Sequence, residues 1–326
     1  MSGATAILAR TYDVHGVGLE VRADEPAVIE AMDLRLRDFR IGASRGEPLR
    51  FDFLTGSEQP LDRPEGPSRP VYDTPCGSLY YSPGADSTWG ELGGVELRCE
   101  ASRGVATFRS AAFAGRELYL ATHPLATISL MELLERRGRF SLHAACLAAE
   151  NRRGVLLAGP SGSGKSTLAL ILAQAGMSFL SDDVVFLVPG RDAAEVHALG
   201  FPDAVGITDH AAGRLHERGA RPILLADGFP KRLGRIEDII GVSALDSCDP
   251  RALVFPEIAL DRLSEIAPLD PGDALLRLVP DVLLTEPAAT QAHLQAIGML
   301  VEQARCYELR SGTDVERAAE LVRAVI

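Results

Sequence analysis

The segment that decides the fold of this chain is Gly159-Pro160-Ser161-Gly162-Ser163-Gly164-Lys165-Ser166-Thr167. Its first eight residues satisfy the pattern G-x-x-x-x-G-K-[ST], a glycine-rich loop that joins a buried strand to a helix. An apolar run at 154–158 precedes the segment, and a second run at 168–175 follows it and ends before Gly176. These runs have the lengths of a strand and a short helix, so the sequence predicts a phosphate-binding loop between them.

The residue types in this loop match the chemistry of a triphosphate. Glycines let the chain bend around an anion without Cβ clashes, so that successive N–H groups and the start of the helix point at the phosphates. Lys165 is expected to bridge the β- and γ-phosphates, and the Ser166 hydroxyl is expected to ligate Mg²⁺. We therefore expect ATP or GTP with Mg²⁺ as cofactors, bound by Gly159, Pro160, Ser161, Gly162, Ser163, Gly164, Lys165, Ser166 and Thr167. The alternative interpretation is a glycine-rich turn with a buried lysine.

Two adjacent carboxylates, Asp182 and Asp183, follow Lys165 by 17 and 18 residues. Apolar β-formers flank them at 179–180 and 184–188, so the pair is predicted to lie in a turn between strands and to face the γ-phosphate. One carboxylate would hold Mg²⁺, and its neighbour would accept a proton from an attacking hydroxyl. The alternative is a pair of solvated turn aspartates.

Other candidates have a less specific pattern. His143 is predicted on the strand that pairs with the one entering the loop, where it either packs in the core or tunes the charge of the acidic pair. Lys231, the second of the chain's two lysines, and Arg232 either contact a phosphate or substrate anion or are exposed loop cations, and Arg235 has the same two interpretations.

Together, these residues resemble the kinase domain of HPr kinase/phosphorylase. The resemblance is carried by Leu142-His143-Ala144-Ala145, the loop 159–167 and Ser181-Asp182-Asp183, in the order and spacing of that family. It implies a P-loop α/β core related to PEP carboxykinase and transfer of a nucleotide γ-phosphoryl group to a serine hydroxyl of a protein. It also implies that Asp182 is the catalytic base, helped by His143, and that Asp183 and Ser166 serve the metal.

The chain departs from that family in two segments. The bifunctional enzymes carry a segment near E-I-R-G after the acidic pair, whereas residues 199–206 read L-G-F-P-D-A-V-G. Their arginine-rich loop has no recognisable counterpart here. Phosphorylase activity and HPr as the substrate therefore do not follow from the resemblance. Shortened relatives occur beside peptide-biosynthesis genes, which makes a ribosomal precursor peptide a candidate acceptor by analogy.

The pattern of elements predicts two domains. Residues 1–138 are expected to form a mixed β/α domain, a candidate substrate-recognition module, with strands at 8–21, 49–54, 71–81, 95–99, 105–113 and 117–121 and helices at 25–39 and 125–137. Residues 139–326 alternate strand and helix and are expected to form a P-loop α/β kinase domain, with later helices at 273–278, 290–304 and 314–325. Thr313 and Glu316 match a capping box for the last helix. The predicted fold class is α/β.

Composition excludes several classes of protein. Hydrophobic residues make up 46% of the 326 and charged residues 24%, which is typical of a globular chain rather than a disordered one. The net charge of −12 argues against a nucleic-acid partner. The sequence has neither a membrane-length apolar run nor a signal-peptide pattern, so no membrane association and a cytoplasmic location are expected. The five cysteines form no CxxC pair and are expected to be reduced and mostly buried.

Three functions remain open at this level. The first is a Mg²⁺-dependent kinase acting on a serine or threonine hydroxyl of a protein or peptide. The second is a small-molecule kinase of the shikimate or gluconate kind, although those chains usually carry the loop near the N-terminus. The third is a non-catalytic nucleotide-sensing module. The sequence leaves a homo-oligomeric assembly open.

Overall fold

The computed structural model describes residues 7–41, 46–56, 60–190, 195–208, 221–224, 230–282 and 285–326. The chain divides into two compact units. The first contains Met1–Arg139 together with Leu283–Thr290, and the second contains Phe140–Val282 and Gln291–Ile326. Helices and strands are mixed in both units, which confirms the α/β class. The role of the first unit in substrate recognition stays a prediction.

The described part of the first unit is built on a nine-stranded sheet with the order β3-β1-β2-β4-β9-β8-β7-β6-β5. Its strands are β1 Leu8–Val14, β2 Val17–Ala23, β3 Arg40–Ile41, β4 Leu49–Thr55, β5 Arg69–Thr74, β6 Gly77–Ser82, β7 Ser87–Leu92, β8 Val95–Glu100 and β9 Val105–Ser110. Its helices are α1 Pro26–Arg35, α2 Gly115–Leu120 and α3 Ala126–Glu135. Strand β4 pairs in parallel with β2 and β9, and the other pairings in this sheet are antiparallel.

Alternating apolar residues give this sheet its core. Phe51 and Phe53 on β4 and Phe108 on β9 are buried, and the rings of Phe53 and Phe108 stack with centroids 4.4 Å apart. Helix α1 contacts β1 and β2 and buries Val28 and Met32. Burial of each such side chain stabilises the folded state by about 1.5–3 kcal/mol, so this core holds the sheet and α1 together.

Two predictions in this unit are wrong. Residues 117–121 were expected to form a strand, but 115–120 form α2, which runs through a π-helical turn at Ala121–Leu125 into α3. Leu118, Tyr119 and Leu120 suit a strand locally, yet they form a helix that continues into α3, and Leu120 is buried there. The predicted strand at 71–81 is a hairpin of β5 and β6, and the sequence predicted no strand at the position of β7.

The second unit contains the predicted loop. Its described strands are β10 Phe140–Ala148, β11 Arg153–Ala158, β12 Ser178–Ser181, β13 Val184–Pro189, β14 Val196–Gly200, β15 Val205–Thr208, β16 Arg221–Leu224, β17 Pro230–Gly234, β18 Ser247–Ile258, β19 Glu265–Pro268 and β20 Arg305–Ser311. Its described helices are α4 Lys165–Gln174, α5 Ile236–Ile239, α6 Pro271–Leu278, α7 Pro287–Gln303, whose first residues Pro287–Thr290 belong to the first unit, and α8 Val315–Ala324.

The main sheet of this unit has the order β11-β10-β13-β14-β18-β20-β19 and closes on itself, because β18 also pairs with β11. The first residues of β18 pair with β14, residues 249–254 pair in parallel with β11, and residues 252–258 pair in parallel with β20. Strand β12 adds to β10, and β15, β17 and β16 form a separate three-stranded sheet. The central strands are therefore buried on both faces.

Successive side chains of the central strands enter two different cores. Leu142, Ala144 and Cys146 of β10 pack with α6 and α7, whereas Ala145 and Leu147 pack with α4 and α8. This alternation follows from the two-residue period of a strand. Helices consequently cover both faces of the sheet and fix the strand ends that carry the candidate site.

The structure also bears on the predictions for the cysteines, for the cap of the last helix and for membrane-spanning helices. The five cysteines are free thiols, and all except Cys76 are buried. The predicted capping box is wrong, since Asp314 is the N-cap of α8 and its carboxylate accepts hydrogen bonds from N and Oγ of Ser264. In the described part of the chain, the helices are too short or too polar to cross a membrane.

Candidate active site

The glycine-rich loop lies where β11 ends and α4 begins. Gly159, Gly162 and Gly164 have φ values of 141°, 84° and 97°, a region that side chains disfavour. Gly164 is the N-cap of α4, so the loop runs directly into the positive end of that helix. At the other end, the amide of Gly176 donates to Ala173 O and that of Met177 to Leu172 O, which is a Schellman motif. The backbone thus turns at three glycines with positive φ and runs into a helix N-terminus.

Lys165 is held inside this loop. Its side chain is buried, and Nζ donates to Gly159 O at 2.5 Å and to Pro160 O at 3.1 Å. Oγ of Ser163 is also buried and has no hydrogen-bond partner. A buried hydroxyl without a partner costs about 1–3 kcal/mol, so the loop holds unused hydrogen-bonding capacity at its centre.

The acidic pair reaches the loop through strand pairing. Strand β10 pairs with β11 on one side and with β12 and β13 on the other, and Asp182 and Asp183 form the turn between the last two strands. This turn is fixed by Ser181, whose buried hydroxyl donates to Phe201 O at 3.0 Å and accepts from the amide of Asp183 at 3.4 Å. The structure therefore brings together the two motifs that the sequence predicted as neighbours.

Asp182 faces the loop, and its surroundings disfavour the charged form of its carboxyl. Its Oδ1 is shielded from solvent and has no hydrogen-bond partner. Burial and the charge of Asp183 raise the pKa of the Asp182 carboxyl to about 7, against the opposing effects of a hydrogen bond with Ser166 and the charges of Lys165 and His143. A carboxylate in this state attracts a proton or a cation.

His143 pairs with the other acid. Its Nδ1 lies 2.9 Å from Oδ1 of Asp183, and the two side chains are 37% and 65% exposed. The family resemblance assigns His143 as a helper of Asp182, but the direct contact is with Asp183, because His143 stands opposite Val184 in the register of β10 and β13. The partly exposed imidazole is not a packed core histidine.

The residues present fit Mg²⁺ only together with a phosphate ligand. Within the described ranges, no group of three or more His, Cys, Asp and Glu side chains is gathered as a metal site. Mg²⁺ is commonly held by one or two carboxylates with phosphate oxygens and water. The unpartnered Oδ1 of Asp182 beside the Ser166 hydroxyl suits that mode of binding. Asp183, predicted as a metal ligand, contacts His143 in this structure, and its role at a metal stays a prediction.

The remaining candidates lie apart from these contacts. Lys231 and Arg232 belong to the backbone of β17, and the prediction that they contact a phosphate lies outside the side chains that the structure describes. Arg235 is buried and bonds to Pro202 O at 3.1 Å and to Glu237 at 3.2 Å, so it fixes the chain after β14. It is not an exposed loop cation.

A residue that the sequence did not indicate lies on the opposite side of the loop. Ile258, the last residue of β18, lies against Gly164, and a β-carbon on that glycine would be 3.5 Å from Cγ1 of Ile258. An apolar residue at a strand end carries no signal of this proximity, which depends on the parallel pairing of β11 and β18.

Comparison with known proteins adds little to this geometry. No protein-family model matches the chain, and no curated protein matches it. Among solved structures, the chain is similar to an HPr(Ser) kinase/phosphatase from Coxiella burnetii, with 13% sequence identity over 56% of this chain and 94% of that one and a TM-score of 0.29. A TM-score this low does not relate two folds, so the functional argument rests on the side chains of the site.

Proposed function

We propose that this chain is a Mg²⁺-dependent nucleoside triphosphate kinase that phosphorylates a serine or threonine hydroxyl of a protein or peptide. The observation that carries the proposal is the Asp182 carboxyl, which lies beside Ser166 and Lys165 of the loop and has a pKa of about 7. A general base is most effective when its pKa is near the working pH.

Each part of the site has a role in this reaction. The backbone N–H groups of residues 161–167 bind the phosphates, and Lys165 leaves the carbonyls of Gly159 and Pro160 to bridge the β- and γ-phosphates. The acceptor oxygen forms a bond to the γ-phosphorus while the bond from that phosphorus to the β–γ bridging oxygen breaks. Asp182 accepts the proton of the hydroxyl, and the nucleoside diphosphate leaves. Asp183, oriented by His143, keeps a negative charge beside Asp182. This charge raises the pKa of Asp182, so that its carboxylate accepts the proton more readily.

Mg²⁺, when bound with the nucleotide, neutralises charge on the phosphates. Ser166 and Asp183 would hold it, which leaves Asp182 to accept the proton. These contacts are equally compatible with ATP and GTP, because the loop amides, Lys165 and Ser166 act only at the phosphate end of the nucleotide.

The exposure of Asp183, the neighbour of the base Asp182, supports a polypeptide acceptor. The side chain of Asp183 is 65% exposed, so a hydroxyl on a large molecule can approach the turn. A kinase for a small metabolite encloses its acceptor to exclude water. A precursor peptide is one candidate within this class.

Transfer of label tests the proposal. The purified protein is incubated with γ-labelled ATP, Mg²⁺ and either cell lysate or peptides encoded by neighbouring genes, beside the variants Asp182→Asn and Asp273→Asn. Asp273 is exposed in the first turn of α6 and serves as a matched control. Label on a polypeptide that is lost only in Asp182→Asn supports the proposal. Label confined to metabolites indicates a small-molecule kinase, and nucleotide binding without transfer indicates a sensing module.

A further inference from the structure

The strand order gives the phosphate loop two different sides. On one side of β11 lies β10, which leads to the acidic turn. On the other side lie β18 and then β20, both parallel to β11 in this chain of pairings. Parallel strands end at the same edge of a sheet, so the segments after β18 and β20 lie at the edge that carries the loop.

The segment after β18 is apolar and exposed. Ile258, Leu260 and Leu263 are 49%, 68% and 74% exposed, and we call these three residues the apolar rim. Three large aliphatic side chains exposed within six residues form a candidate binding surface, since exposed apolar area that is contiguous marks interaction sites. Ile258 connects the apolar rim to the phosphate loop through its approach to Gly164.

The backbone of the apolar rim is fixed. Ser264 donates from N and Oγ to Asp314 Oδ1 at 2.8 and 2.7 Å, and its Oγ accepts from the amide of Gly312 at 2.9 Å. A β-carbon on Gly312 would lie 2.1 Å from Arg262 O, so the segments after β18 and β20 touch there. A surface held in this way is preorganised for a rigid ligand.

We propose that the apolar rim binds the face of the nucleobase of the nucleotide whose phosphates lie in the loop. The inference rests on the proposed function and extends it to the second half of the ligand. The γ-phosphate is directed to Asp182, on the β10 side of the loop. The nucleoside, at the other end of the triphosphate, therefore extends to the β18 side, where Ile258 lies. A purine ring is flat and apolar on its faces, which suits contact with aliphatic side chains. Such contacts do not read the ring's donors and acceptors, so adenine and guanine are bound alike.

Binding of nucleotides and of tripolyphosphate, which has no base, separates the two halves of the ligand. Dissociation constants are measured by calorimetry for ATP, GTP and tripolyphosphate with the wild-type protein and with Ile258→Ser, Leu260→Ser and Leu276→Ser. Leu276 is 70% exposed on α6 and is the matched control. We expect Ile258→Ser to weaken ATP and GTP about five- to tenfold, from the apolar area that one branched side chain covers, and to leave tripolyphosphate unchanged. Leu276→Ser changes none of the three.

The other outcomes overturn the inference in distinguishable ways. The nucleobase contact is contradicted if the wild-type protein binds ATP and tripolyphosphate with equal affinity, or if Ile258→Ser leaves the ATP affinity unchanged. Neither result contradicts the kinase proposal. Equal weakening of ATP and tripolyphosphate shows that Ile258 only supports Gly164. Loss of transfer to a polypeptide with nucleotide affinity intact assigns the apolar rim to the acceptor. A wild-type protein that binds neither ATP nor tripolyphosphate contradicts the proposed function itself.

Discussion

Nδ1 of His143 lies 2.9 Å from Oδ1 of Asp183, although His143 is on β10, Asp183 is in the turn between β12 and β13, and the two are 40 positions apart in the chain. The antiparallel register of β10 and β13 places His143 opposite Val184 and therefore beside the acidic turn. The contact orients one carboxylate of the pair and leaves the other, Asp182, facing the glycine-rich loop.

Replacing His143 tests whether this orientation matters for transfer. His143→Ala should lower kcat about 10- to 100-fold, the range for one hydrogen bond to a charged group, with the KM for ATP changed less than about threefold. His143→Asn, whose amide nitrogen takes the place of Nδ1, should recover part of the loss. Steady-state kinetics check both variants, and an unchanged kcat in His143→Ala removes the imidazole from the mechanism.

Lys165 should dominate nucleotide affinity. Lys165→Ala is expected to weaken ATP binding by about 2–4 kcal/mol, since the variant leaves phosphate charge without its partner. Arg153→Ala removes an exposed cation from the opposite end of β11 and should not change the affinity. Calorimetric titration of both variants decides the matter, because equal dissociation constants for Lys165→Ala and the wild-type protein contradict the loop assignment.

Glu132 in the first unit should make stability depend on pH. Its side chain is buried, Oε1 accepts from Thr285 at 2.8 Å and from Arg136 at 2.9 Å, and Oε2 has no partner. Burial is the main cause that raises the pKa of Glu132 to about 7, with Arg136 and Thr285 opposing it and Glu135 and Asp86 adding to it. The folded state therefore keeps a proton that the unfolded chain releases near pH 4.5.

The sign of the pH effect follows from this proton. Stability falls as pH rises from about 4.5 to 7, because the folded state binds more protons there, and the loss amounts to about 3 kcal/mol. Glu132→Gln keeps a neutral side chain at every pH and should flatten this slope. Tm measured between pH 5 and 8 for both proteins checks it, and parallel slopes would show that Glu132 is ionised throughout.

Two glycines should respond to alanine in opposite directions. A β-carbon on Gly200, at the end of β14, would lie 2.8 Å from Leu180 O and 2.9 Å from Leu245 O, so Gly200→Ala must displace backbone beside the acidic turn. We expect a loss of about 1–3 kcal/mol of unfolding free energy together with reduced transfer.

The matched variant lies in α7, where Gly298 has open space around it. Gly298→Ala should stabilise the protein by about 0.5–1 kcal/mol, since alanine favours the helix and restricts the unfolded chain. Urea unfolding compares the two variants. A Gly200→Ala protein as stable as the wild type would show that the close approach to Leu180 and Leu245 is easily relieved.

The parts of the site that were predictable are local in the sequence. The loop residues 159–167, the strand before them and the helix after them are specified by glycines and by two short apolar runs, each readable within a few positions. The acidic turn was predictable from the β-formers on both sides of Asp182. The strand that carries His143 was also predicted, but its contact with Asp183 depends on register between strands far apart in the chain.

The elements that were missed depend on tertiary context. Residues 115–120 have the composition of a strand and become a helix because they continue into α3. Strand β7 contains Gly90, whose φ of 150° lets this glycine approach Ser78 O closely. The strand is recognisable only beside its partners β6 and β8. The nearness of Ile258 to Gly164 likewise arises from the pairing of β18 with β11, which no short pattern encodes.

A crystal structure of the protein with Mg²⁺ and a non-hydrolysable ATP analogue tests the central claim most directly. We expect the phosphates within hydrogen-bond distance of the backbone N–H groups of residues 161–167, Nζ of Lys165 moved from Gly159 O to the phosphates, and the carboxylates of Asp182 and Asp183 opposite the γ-phosphate. A nucleotide bound elsewhere, or a loop that keeps Lys165 on its own carbonyls while both aspartates point to solvent, would contradict the account.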